Sequence, residues 1–125
     1  MRIFDKQTAD TYMVGNIEVV RWEQYGLGDS LPFGGMWYTV PPGSISPPDC
    51  HPDIEISFVI SGSAAVETSG RLVEVGQGNA FMLDSGETHI IHNLCADRPL
   101  LVFSAYWMPA TASLAGVAGK EAPGA

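Results

Sequence analysis

Asp49, His51, Asp53 and Glu55 recur at every second position. Side chains at that spacing share one face of an extended chain. The face so formed carries an imidazole and three carboxylates, while Cys50, Ile54, Ile56, Phe58 and Ile60 fall on the other. Carboxylates crowded on one face repel one another unless water or a cation screens them. A divalent ion would remove that repulsion and take the same oxygens and nitrogen as ligands. The competing reading is a solvated acidic edge strand. Further along, His89 and Asn93 also share strand parity, with Gly86 three residues before His89.

The neighbouring side chains divide into those that could serve such a site and those that could not. Glu55 is either a ligand or the base that moves a proton on a metal-bound substrate, and is the candidate catalytic residue. Asp53 is expected as a polar substrate contact at the mouth. Arg21 and Arg71 are the cations in mid-chain, and a guanidinium can hold a substrate carboxylate through two parallel hydrogen bonds. Of the two, Arg21 is the candidate. Trp37 and Phe81 are the aromatics expected to line a pocket with few polar groups. His92 has the opposite parity from His89 and is expected to face outward. Cys50, between two ligand candidates, is read as a core or interface thiol, and Cys95 as inert.

These residues need strands to position them. Ile17–Tyr25 is rich in β-branched and aromatic residues and reads as a strand. Met36–Val40 is another, stopped by Pro41-Pro42-Gly43, and Pro47-Pro48 delivers the chain extended into the acidic stretch. Ala64–Thr68 and Arg71–Val75 flank Ser69-Gly70, a hairpin signal. Asn79–Leu83, Thr88–Leu94 and the apolar Leu100–Met108 complete the set. Many short strands at this spacing, with no convincing helix, predict an all-β antiparallel jelly-roll barrel. The expected organisation is an arm or short strand over 1–15, a barrel over 16–109, and a disordered Ala/Gly-rich tail over 110–125.

Composition narrows the partners. Charged residues make up 16% of the 125 and apolar residues 46%, enough for one domain with a real core. The net charge of −8 disfavours nucleic acid and anionic membrane surfaces. Two cysteines without CxxC spacing, no signal-peptide run and no long apolar stretch predict a reduced, soluble, cytoplasmic protein.

The two constellations have ordered spacings. The first is Gly43-x5-Asp49-x-His51-x3-Glu55-x6-Gly62, the second Gly78-x5-Asp84-x-Gly86-x2-His89-x3-Asn93. Together they resemble the two sequence motifs of the cupin superfamily, and the strand pattern extends the resemblance to roughly 17–108. Asp49 stands where the family usually has its first metal-binding His, and Asp84 where it usually has Pro. The resemblance implies a small barrel with a divalent metal inside, held by Asp49, His51, Glu55 and His89. Two histidines with a carboxylate favour Fe(II), with Mn(II), Zn(II) or Ni(II) as alternatives, and disfavour Cu(I). Loss of the site through Asp49 is the other outcome. The implied function is a metal-dependent enzyme on a small organic metabolite, of dioxygenase or cyclase type in biosynthesis, or an isomerase or lyase. A non-catalytic ligand-binding or accessory cupin is the alternative, and a homodimer is expected for either.

Overall fold

A computed structural model describes residues 1–110. Among the described residues nine strands are present: β1 (Tyr12–Val14), β2 (Ile17–Arg21), β3 (Gly34–Val40), β4 (Ile54–Ser61), β5 (Ser63–Thr68), β6 (Arg71–Gly76), β7 (Ala80–Leu83), β8 (His89–Asn93) and β9 (Leu100–Trp107). All named pairings are antiparallel, in a six-stranded sheet ordered β1-β2-β3-β9-β4-β7 and a three-stranded sheet ordered β6-β5-β8. This is the expected all-β jelly roll. The expected tail lies, beyond residue 110, outside the described residues. Among the described residues no helix is long and apolar enough to cross a membrane.

The core sits between the two sheets. Val19, Tyr38, Val40, Val59, Leu83, Leu100 and Val102 face it from the larger sheet, and Ala64, Val66 and Ile91 from the smaller. Cross-strand register enforces this, since Val19↔Tyr38↔Val102↔Val59 places one inward side chain per strand in a single row. The β5–β6 hairpin turns on Ser69 and Gly70, both at positive φ (49° and 74°), as a two-residue primed turn requires.

Two expectations need correction. The predicted strand Ile17–Tyr25 ends at Arg21, and Trp22–Tyr25 is a single 3-10 turn. That turn packs Trp22 and Tyr25 with Phe4 and Trp37 in an aromatic cluster on the outside of the larger sheet. The acidic stretch is strand only from Ile54, with Asp49–Asp53 as irregular chain. The apolar face of β4 is its outer one, as a site held inside the barrel by Glu55 requires. Glu55, Ser57 and Val59 are buried, whereas Phe58 and Ile60 are 39% and 46% exposed.

Candidate metal centre

The segment before β4 reaches the smaller sheet although its prolines deny it a regular ladder. Asn93 N–H donates to Ser44 O, Ser46 N–H to Ile91 O, and Asp49 and His89 exchange both backbone bonds at 3.0 and 2.9 Å. Gly86 N–H then donates to His51 O at 2.8 Å. Pairing is possible wherever a non-proline N–H remains, and it joins the two spaced motifs at Asp49–His89. Asn93 is buried and locks the same junction. Its amide nitrogen lies within 3.1 Å of the carbonyls of Val40, Pro41 and Arg98, and its Oδ1 accepts from Cys95 N–H.

Asp49, His51 and His89 come together, each offering a donor atom within 4.8 Å of the others. Glu55 lies outside that trio but touches it, with Oε1 3.0 Å from His51 Nε2. Asp49 Oδ2 is 3.8 Å from His89 Nε2. Both imidazoles are oriented from behind: His51 Nδ1 contacts Asp53 O at 3.1 Å and His89 Nδ1 contacts Glu87 O at 3.0 Å. A carbonyl oxygen only accepts, so each Nδ1 carries the proton and each Nε2 turns toward the carboxylates. Without a proton or a cation between them, lone pairs would face lone pairs. Ligands about 2.1 Å from a common ion at right angles lie about 3 Å apart, as His51 Nε2 and Glu55 Oε1 do. The residues therefore fit a divalent cation by donor chemistry and by spacing.

Behind Glu55 runs a buried relay that the motifs gave no hint of. Ser57 Oγ donates to Glu55 Oε2 at 3.1 Å, and Ser104 and Ser57 hydroxyls are 2.7 Å apart. Because the Ser57 proton is spent on Glu55, Ser104 must donate to Ser57. Both serines are fully buried. Their signal in the sequence was a polar residue at inward parity in each of two apolar strands. Tyr38 faces the same interior, and burial, then the Glu55 charge, raises its phenol above the usual tyrosine range.

A cavity of about 140 Å³ runs from Asp49, Glu55 and His89 past Ile17, Val19, Leu83 and Ile91 to Tyr12 and Arg21. A second of about 210 Å³ adjoins it and adds His51, Asp53 and Tyr106. Asp53 and Arg21 thus line the space beside the trio. Trp37 does not: it alternates with inward Met36 and Tyr38 and packs outside the barrel against Trp22 and Tyr25. Phe81 points inward but packs on the core, away from both cavities. Arg71 is exposed at the start of β6. His92 lies on the outer side of β8, paired with Glu67 at 2.9 Å. Cys50 is exposed, its thiol donating to Gly86 O, because the chain there is loop and not strand. Tyr12 and Tyr106 went unrecognised as site residues, since only the folded chain brings them beside Arg21.

Comparison with known proteins agrees with this fold. An uncharacterized protein of Streptomyces coelicolor is 31% identical over 68 residues, 54% of this chain. The match spans only 65% of the length of that relative. A Cupin 2 conserved barrel domain protein from Salinispora arenicola superposes with a TM-score of 0.76 at 23% identity, covering 97% of this chain and 98% of the other. The polyketide cyclase RemF from Streptomyces resistomycificus gives 0.72 at 19% identity, over 85% of this chain and 78% of its own. Cupins typically bind divalent metals, and the Asp49, His51 and His89 trio offers such a site here. The cupin domain family model matches residues 36–106, from β3 through the whole metal centre to β9. The chain belongs to the cupin family.

Proposed function

We propose that this cupin is a metal-dependent enzyme acting on a small organic metabolite, with chemistry of dioxygenase or cyclase type. The observation that carries the reading is the convergence of two imidazole Nε2 atoms with Asp49 and Glu55 at the wall of an accessible cavity. Asp49, His51, Glu55 and His89 would hold the ion, Fe(II) by preference, with Mn(II), Zn(II) and Ni(II) suited to the same donors. Such an ion supplies Lewis acidity toward a chelating substrate oxygen. The chain's own residues supply the rest. Glu55 Oε1 faces the site while Oε2 is fixed by Ser57, so Glu55 acts through Oε1 alone: as a ligand, or, where Asp49, His51 and His89 hold the ion without it, as the base that takes a proton from substrate. Ile17, Val19, Leu83 and Ile91 exclude water from one wall, and Asp49, with its side chain 64% exposed, marks the entrance. The unpaired Cys50 and Cys95 suit a cytoplasmic setting. A small-molecule substrate suits the cavity, and the acidic chain disfavours nucleic acid and anionic membranes.

Elemental analysis of untagged protein, with His51→Ala and His89→Ala beside it, tests the centre. One equivalent of Fe, Mn, Zn or Ni, absent from both variants, is expected. Wild type that stays empty after incubation with each ion would remove the enzyme reading and leave a ligand-binding cupin.

A further inference from the structure

We propose that Arg21, held between Tyr12 and Tyr106, is the anion-recognition end of the cavity, so that the substrate carries a carboxylate besides its metal-chelating group. The inference rests on the metal-centre reading above and adds the substrate's other end.

Arg21 faces inward in register with Met36 and lines both cavities. Its Nε donates to the Tyr12 hydroxyl and its Nη1 to that of Tyr106 at 2.5 Å. The guanidinium also lies over both rings, 5.7 Å and 5.4 Å from their centroids. Tyr106 passes its own proton to Glu23 Oε2 at 2.8 Å, which fixes the direction of its bond with Arg21. The ring of Tyr106 reaches Arg21 by lying across Gly34. A Cβ there would meet Tyr106 Cε2 at 2.2 Å. Such an arrangement sets the guanidinium in one place before any ligand arrives.

What remains unspent defines the ligand. Among the described residues no carboxylate is within ion-pair distance of Arg21. Its Nη2 and the Tyr12 hydroxyl proton have no acceptor among the contacts described. One donor belongs to the cation and the other lies beside it, and a carboxylate, with two acceptor oxygens and a negative charge, matches the pair. Apart from this end and that of Asp49, Glu55 and His89, the cavity is lined mainly by apolar side chains, Val14, Ile17, Val19, Met36, Leu83 and Ile91 among them. The complementary molecule has a chelating head, a short apolar spacer and an anionic tail. Phosphate-sized anions fit less well, because Arg21 is the only guanidinium or ammonium lining either cavity among the described residues.

Monohydroxamates of dicarboxylic acids of increasing length, each paired with the methyl-ended hydroxamate of equal length, provide the test by titration calorimetry on the metal-loaded protein. The hydroxamate is the metal probe and the pair differs only in its tail. At the best length the carboxylate member should bind roughly tenfold or more tighter. Arg21→Met should abolish that preference and leave the methyl-ended probe within about twofold, and Tyr106→Phe should reduce it. Equal binding of both members at every length, or a preference retained in Arg21→Met, overturns the proposal with the metal centre intact. Binding of neither probe by wild type overturns the metal-centre reading and this proposal with it.

Discussion

Ser57→Ala is the most informative perturbation of the centre. Ser57 touches no candidate metal-donor atom directly except through Glu55, whose Oε2 accepts its proton at 3.1 Å. The hydroxyl is fully buried, so water cannot take its place. A hydrogen bond to a charged group contributes about 1.5–3 kcal/mol. Loss of a group orienting a metal ligand typically weakens affinity about 10- to 100-fold, or about 1.4–2.7 kcal/mol. The two figures agree, which is what a relay whose purpose is to aim Glu55 requires. The assay is Mn(II) and Zn(II) titration of chelator-treated protein, with thermal unfolding at fixed metal. Stabilisation by metal follows RT ln(1 + [M]/Kd), so the metal-induced gain should shrink by the same amount. Ser104→Ala, which leaves the Ser57–Glu55 bond in place, should weaken binding less. Ser57→Ala protein that binds both ions within about twofold of wild type would show that Glu55 is not a ligand aimed through Ser57, whatever its melting temperature.

Three further outcomes follow from other parts of the molecule. Asn93→Ala strips partners from the Cys95 N–H and three carbonyls, and should cost about 2–4 kcal/mol in urea unfolding, while a loss below about 0.5 kcal/mol would contradict its role as a lock. Burial raises the Tyr38 phenol, with the Glu55 charge second, and burial with the Glu23 bond raises that of Tyr106. Unfolded tyrosines ionise near about pH 10, so above it the folded chain holds more protons and stability should fall with rising pH. Tyr38→Phe should flatten that fall in a melting-temperature series, and an unchanged slope would count against it. We propose a homodimer through the outer face of β4 and β7, where Phe58, Ile60 and Met82 are exposed and β7 is a sheet edge. Sedimentation equilibrium should find a dimer that Met82→Lys dissociates, and a monomeric wild type would refute it.

The sequence by itself determined the all-β architecture, the spacing of the ligand candidates and the outward direction of His92. These are local properties: alternation, prolines and turn residues act over a few positions, and the spacing of two motifs survives whatever lies between them. On β4 the resemblance already put Glu55 inside, and the fold adds that Ser57 is buried with it, because an inner site can satisfy polar groups with one another. Tertiary structure decided which face of several other strands is inside. Trp37 left the pocket for an aromatic cluster that the Trp22–Tyr25 turn builds, and Cys50 was left exposed by a loop that alternation mistook for strand. The setting of Arg21 was beyond any reading of the chain in order. Tyr12, Gly34 and Tyr106 meet it from three strands, and their nearness is a property of sheet order and register, which pair residues 85 apart in sequence as readily as neighbours.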